Sequence, residues 1–305
     1  MSDESVKRSL ALAGEPLRSA GPVQGFAIGT VESVRDIWAH RELLGLLVRR
    51  ELKARYKDST LGFFWSLIRP LTNLLIYYVA VGKFLGAERS IPSFALFIFT
   101  GLTAWGLFSE IVSTGTASVV ANSGLVKKVY LPREVFPLAT IGSALFNFVI
   151  QLAILAAALL FDATVGTGSL PGGLRLLYLP LSFALILVFA TALALLLSAV
   201  NVYLRDVNYL VEVSLMVLFW ASPIVYSWEL VSPKLNGWMT EFYLANPITL
   251  ATLGFQKAVW VAGDGKPFPP NLELRLGVSL GVCVVLLWVC QRVFTRLQGN
   301  FAQEL

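Results

Sequence analysis

The 305-residue chain is 56% apolar and only 14% charged, with a mean hydropathy of +0.70, whereas soluble domains hold about half apolar and about a quarter charged residues. Apolar runs of about 20 residues recur to the C-terminus, which excludes a soluble enzyme and predicts an all-α integral membrane protein. The net charge of +5 reads as membrane topology before nucleic-acid binding, and one histidine (His40) with two cysteines (Cys283 and Cys290) is too few ligands for a metal centre or a disulfide framework.

Residues 1–30 are rich in Ser, Gly, Pro and Ala, and their longest apolar stretch, Leu10 to Ala13, is too short for a signal peptide, so a disordered tail is expected. Over 31–62, Val34, Ile37, Trp38, Leu44, Leu47, Val48 and Leu52 recur at helical spacing, with Arg49, Arg50, Lys53, Arg55 and Lys57 among the cations on the other faces. This pattern suits an amphipathic helix in the bilayer interface, broken near His40, or a soluble helix packed on other protein.

Six apolar segments follow, at 63–85, 92–117, 136–161, 175–200, 207–227 and 272–294, each long enough to cross a core of about 30 Å. With both termini inside, sixteen Lys and Arg lie on cytoplasmic pieces and seven on external ones. Phe242 to Ala262 is apolar enough for a further span but is interrupted by Asn246 and Pro247. Within the external segment 228–271 it is therefore read as two short helices that dip into the outer leaflet and return. The six-span domain covers 63–296, and 297–305 forms a cytoplasmic C-tail.

The chain holds no G-x-x-x-x-G-K-[ST] loop and no convincing set of catalytic acids, so no catalytic residue and no cofactor site is assigned. Arg69, Glu110 and Glu212 fall inside spans at similar depth, where an ionisable group costs roughly 2.5–3.5 kcal/mol on insertion scales. They form a charged layer, with Arg69 paired to Glu110, or Arg69 and Glu212 snorkel to the interface. Aromatic residues Phe64, Tyr77, Tyr78, Phe99, Trp105, Phe108, Phe219, Trp220 and Tyr226 are either interfacial belt residues or the walls of a wet path on which sugar rings pack. The 118–135 loop carries Leu125, Lys127, Lys128, Tyr130, Arg133 and Glu134; Asn122 and Ser123 suit the cap of a short helix holding Leu125 to Tyr130 and stopped by Pro132, as surface padding or as a docking peg.

The run from Arg49 to Pro70, RRELKARYKDSTLGFFWSLIRP, and KKVYLPRE from Lys127 to Glu134 resemble the membrane subunit of type-2 ABC exporters for polysaccharides, the O-antigen, galactan and teichoic-acid permeases. Leu204, Arg205 and Asp206, Ser222 with Pro223, and Asn246 with Pro247 resemble the same pattern. The resemblance implies a homodimer in the bacterial cytoplasmic membrane, bound to two copies of a cytoplasmic ABC ATPase that holds the ATP and Mg. It also implies that the lysine loop couples to that ATPase, that the basic helix lies at the interface, and that the helices around Pro247 form a gate. The substrate implied is a glycan on a polyprenyl diphosphate. A type-2 exporter of drugs or small lipids, favouring a wider apolar cavity, and a membrane enzyme acting on polyprenyl-linked sugars are the alternatives.

Overall fold

Hydrocarbon offers no hydrogen-bond partners, so a chain crossing it must satisfy its backbone internally. The computed structural model describes residues 26–56, 64–128, 131–165 and 169–305; these form helices joined by turns, with no strand among the described residues. In chain order the helices are α1 (Phe26–Ala39), α2 (Arg41–Tyr56), α3 (Phe64–Tyr77, continued as a wider π-turn helix over Tyr78–Phe84), α4 (Phe94–Ala121), α5 (Ser123–Val126), α6 (Val135–Val165) and α7 (Tyr178–Tyr203). Then come α8 (Val207–Trp220), α9 (Trp228–Val231), α10 (Trp238–Leu244), α11 (Pro247–Val259), α12 (Leu272–Leu297) and α13 (Phe301–Glu304).

Among the described residues, five helical stretches are long and apolar enough to cross a membrane: Phe64–Phe84, Phe94–Ala121, Val135–Val165, Gly173–Tyr203 and Leu272–Glu304. The segment expected as a fifth span of 207–227 is shorter, because α8 ends at Trp220 after 14 residues, about 21 Å of helix. Pro223 is the reason, since it cannot donate to the ladder and disfavours helix at Ser222 before it. The chain instead turns, with Ile224 N bonding Ser222 O at 2.8 Å.

Helix α4 is the centre of the bundle, with 67% of its most apolar stretch buried against 0% for that of α3. It packs on α6 and α7, and α12 packs on the other side of α7. Gly115 allows the α4–α7 contact: a Cβ there would stand 2.6 Å from the Ala194 Cβ. The hydroxyls of Thr100, Thr103 and Thr116 bond carbonyls four residues back in their own helix, so these polar groups are satisfied in the core.

The broken segment divides where Asn246 and Pro247 stand. Asn246 Oδ1 accepts from Ile248 N at 3.0 Å as an N-cap, and Pro247 takes the first helical position, where a missing donor costs nothing. Helix α11 is buried along almost its whole length against α7, α4 and α12. Its Gln256 donates to Pro223 O at 2.8 Å, and Asn246 donates to Ser222 Oγ at 3.4 Å, so the turn after α8 is tied to α11.

At the other end of the bundle the break near His40 separates α1 from α2, and α1 starts at Phe26, inside the stretch expected as tail. Residues 297–305 are folded rather than loose. Phe301 is fully buried against Phe294 (5.5 Å between centroids), and Tyr203 Oη donates to Leu297 O at 2.8 Å.

Candidate functional site

Three polar stripes at helical spacing converge where α3, α4 and α6 meet. Helix α3 supplies Ser66, Arg69, Pro70 and Asn73, α4 supplies Gly106, Ser109, Glu110, Ser113 and Thr114, and α6 supplies Asn147 and Gln151. They line a cleft of about 740 Å³, closed further by Arg55 of α2, Leu215 of α8 and the rings of Trp65, Phe99 and Trp105. Gly106 makes room, because a Cβ there would come within 3.0 Å of Gln151 Oε1. Amides, hydroxyls and flat rings in one cleft can hydrogen-bond hydroxyls and stack on the faces of a ring-shaped solute.

The charged group at the floor is Glu110. Its Oε1 accepts from Arg55 Nη1 at 2.7 Å and from Asn147 Nδ2 at 2.6 Å. The expected partner, Arg69, lines the same cleft but is not paired with Glu110; among the described residues it has no ion pair. Glu212 is exposed on α8 and is not among the residues that line the cleft. Equal depth does not mean equal azimuth, and Arg55 reaches Glu110 because α2 lies along α6. That contact is close: a Cβ on Gly142 would stand 2.6 Å from Val48 Cγ2. Gly142→Val is therefore expected to push α2 off α6 at about 1–3 kcal/mol of overpacking, read as a lower melting temperature of the purified protein and weaker export.

The aromatic residues divide into groups. Trp105, Phe219, Tyr77 and Trp220 form one chain of rings, with centroids 5.5 Å apart for Trp105–Phe219, 5.6 Å for Tyr77–Phe219 and 5.5 Å for Phe219–Trp220. Trp105 joins this chain to the cleft. Phe108 is fully buried, stacked on Phe189 at 5.6 Å and tilted against Trp105 at 5.6 Å, so it backs that ring from the core. Phe99 is buried yet borders the cleft, Tyr78 packs on Phe94 beneath Lys83, and Phe64 is exposed at the start of α3. Tyr226 Oη donates to Trp220 O at 2.8 Å and lies 3.3 Å from Tyr243 Oη. Asn147, Gln151, Asn73 and Ser109 were not singled out from the sequence, although their spacing of three and four to other polar residues was the available signal.

On α2, Arg49, Leu52 and Lys53 face a groove of about 920 Å³ that also holds Leu46, Arg50 and Phe146. Arg50 Nη2 donates to Asn122 Oδ1 at 2.5 Å, and Asn122 Nδ2 donates to Ser118 O at 2.8 Å. With its side chain so engaged, Asn122 does not cap, and the helix expected from Leu125 to Tyr130 is only the four residues of α5. Lys127 and Lys128 are exposed in the following turn, Leu125 is half-buried, and Lys57 and Tyr130 lie outside the described residues. Arg133 sits over the Phe301 ring at 5.7 Å.

Glu134, expected on the contact surface of the loop, is instead buried at 3% exposure, with Gln291 Nε2 at 3.5 Å and Thr295 Oγ1 at 3.4 Å from its Oε1. Burial pushes its carboxyl above the ordinary range, against these bonds, which pull it down. A raised folded value means that this contribution favours the fold below the unfolded pKa and is lost as pH rises through the folded one. Glu134→Gln is expected to keep the anchor and flatten the loss of stability as pH rises above the ordinary carboxylate range, whereas Glu134→Ala destabilises throughout.

The family model described as ABC-2 type transporter matches residues 42–260, which hold the cleft, the loop and the broken segment. The chain belongs to the ABC-2 type transporter family. Among similar proteins of this ABC-2 chain, the O-antigen export system permease protein RfbA of Myxococcus xanthus is 29% identical over 275 residues, covering 90% of this chain and 100% of the relative. A protein of the same name from Klebsiella pneumoniae is 27% identical over 264 residues, covering 87% and 95%. The polysialic acid transport protein KpsM of Escherichia coli is 26% identical over 183 residues, covering 59% and 68%. Together with the five apolar helices, the family places this chain in the bacterial inner membrane as a multi-pass protein.

Proposed function

We propose that this ABC-2 chain is the permease subunit of an ATP-driven exporter that moves a polyprenyl-diphosphate-linked cell-surface polysaccharide out across the cytoplasmic membrane. The observation that carries the reading is the ring-walled polar cleft, continuous through Trp105 with the rings of Phe219, Tyr77 and Trp220. Moving a hydroxyl into plain hydrocarbon costs about 4–8 kcal/mol, so a glycan needs such a lining, whereas a drug or small lipid is better served by apolar walls. Relatives named for O-antigen export and polysialic acid transport support the glycan as cargo.

Six crossings with both termini inside follow if α8 and the turn after it are counted as one span, in agreement with the bias of Lys and Arg. In that orientation the groove of Arg49 and Lys53 beside Leu46, Leu52 and Phe146 lies at the cytoplasmic interface, where cations meet a diphosphate and apolar side chains meet a prenyl tail. Helices α10 and α11 are then the external gate, hinged at Asn246 and Pro247. Two copies of the chain act with two copies of a separate ABC ATPase, because this chain carries no phosphate cradle; ATP and Mg bind that partner. Exposed Lys127 and Lys128 face it, so replacing both with Ala is expected to uncouple transport while leaving insertion intact.

The test is a series of single ring replacements, Tyr77→Leu, Trp105→Leu, Phe219→Leu and Trp220→Leu. Each is expected to lower export per folded complex roughly three- to tenfold, with loss of glycan-stimulated but not basal ATP hydrolysis. Parental export by all four folded variants would refute the glycan path.

A further inference from the structure

Helix α3 has no buried residue over Phe64–Tyr77, and α8 buries only Val207, Val211 and Phe219. Most of the uncovered surface is apolar, including Leu75 and Ile76 on α3 and Val213, Met216 and Val217 on α8, and lipid would satisfy it. Lipid does not satisfy the two ions on the same faces. Arg69 lies five residues after Phe64, the first of α3, and Glu212 five residues after Val207, the first of α8. Both helices start at the same end of the bundle, since α3, α4, α6, α7 and α8 alternate in direction along the chain. By helix rise, each charge therefore sits about 7.5 Å in from that end. Both are exposed, and neither has an ion-pair partner among the described residues.

We infer that a second copy of this chain covers these faces, and that Arg69 of each copy pairs with Glu212 of the other. The inference rests on the two-copy reading and adds the contact that holds it. Opposite charge at equal height is complementary to itself under a two-fold axis: α3 of one copy meets α8 of the other twice, and four unpaired ions become two pairs. Because Arg69 also lines the cleft, each cleft is completed by a carboxylate from the opposite copy.

The test expresses Arg69→Glu and Glu212→Arg on separately tagged copies and measures tag-to-tag co-purification in detergent. A copy with Arg69→Glu carries two acids in this layer and one with Glu212→Arg two bases, so like copies repel, while unlike copies restore both pairs. The expected result is that mixed assemblies form and each variant alone does not, with mixed pairs favoured roughly tenfold or more. As a readout independent of charge effects on insertion, Arg69→Cys on one copy and Glu212→Cys on the other should be joined by a flexible bis-maleimide cross-linker, since an Arg–Glu pair holds its backbones farther apart than the roughly 7 Å that a direct disulfide spans; the native Cys283 and Cys290 are buried and remain silent. Self-assembly of both charge variants at the parental level, or no cross-link between the Cys variants in a chain that still dimerises, overturns the pair while sparing the export reading. A chain that is monomeric in its working complex overturns both.

Discussion

Glu110→Lys is expected to abolish export and sharply lower the yield of folded protein. It places an ammonium against Arg55, now held 2.7 Å from the carboxylate, and removes the carboxylate that accepts from Asn147 Nδ2 at 2.6 Å. The Arg55–Glu110 pair is partly exposed, which discounts its Coulomb energy. The larger effect is the replacement of an attraction by repulsion between two cations inside the bundle, which on insertion scales is about 2.5–3.5 kcal/mol for the uncompensated charge. Adding Arg55→Glu to Glu110→Lys should recover part of the loss, whereas adding Arg69→Glu should not, because Arg69 is not the partner. Thermal melting and export of the single and double variants measure both statements; equal rescue by the two arginine substitutions would contradict the assigned pair.

The second large effect concerns the cleft walls. Asn73→Leu with Gln151→Leu should dry the cleft while leaving the fold intact or slightly firmer, since replacing polar groups in a cleft by apolar ones of similar size removes a desolvation cost. Sugar hydroxyls would then pass without partners. At about 1–3 kcal/mol for each hydroxyl left unbonded, export should fall at least about tenfold. The melting temperature of the purified protein and the surface glycan of the cells are the paired readouts. Loss of folding along with export would make these residues structural, and normal export would remove them from the path.

Much of the helical layout is legible in the sequence because its causes are local. The break at Asn246 and Pro247 is an N-cap followed by a residue without a donor, and it stands where the chain suggests. The early end of α8 was equally local, but Pro223 weighs little in a sum over a 21-residue apolar run from 207 to 227. Partnership is less legible. Depth along a helix follows from residue count, but azimuth is set by packing, so Arg69 and Glu110 share a cleft while Arg55, from an element outside the spans, takes the ion pair. Glu134 shows the same limit: a loop acid reads as exposed until α12 and the folded C-terminus are seen to cover it. The polar stripes of α3, α4 and α6 carried a periodic signal that the rings and charges overshadowed, and those stripes make the cleft.

The most direct test of the account is transport in proteoliposomes holding this chain with its ABC ATPase, loaded with a radiolabelled polyprenyl-diphosphate glycan on the nucleotide side. The fraction of glycan reaching the opposite leaflet is measured by its accessibility to a membrane-impermeant glycosidase before and after ATP and Mg are added. The account predicts ATP-dependent transfer that falls in the Trp105→Leu complex and is abolished in the Asn73→Leu, Gln151→Leu complex. Transfer of the bare prenyl diphosphate or of an apolar drug at the same rate as the glycan, or glycan transfer indifferent to both cleft variants, would contradict it.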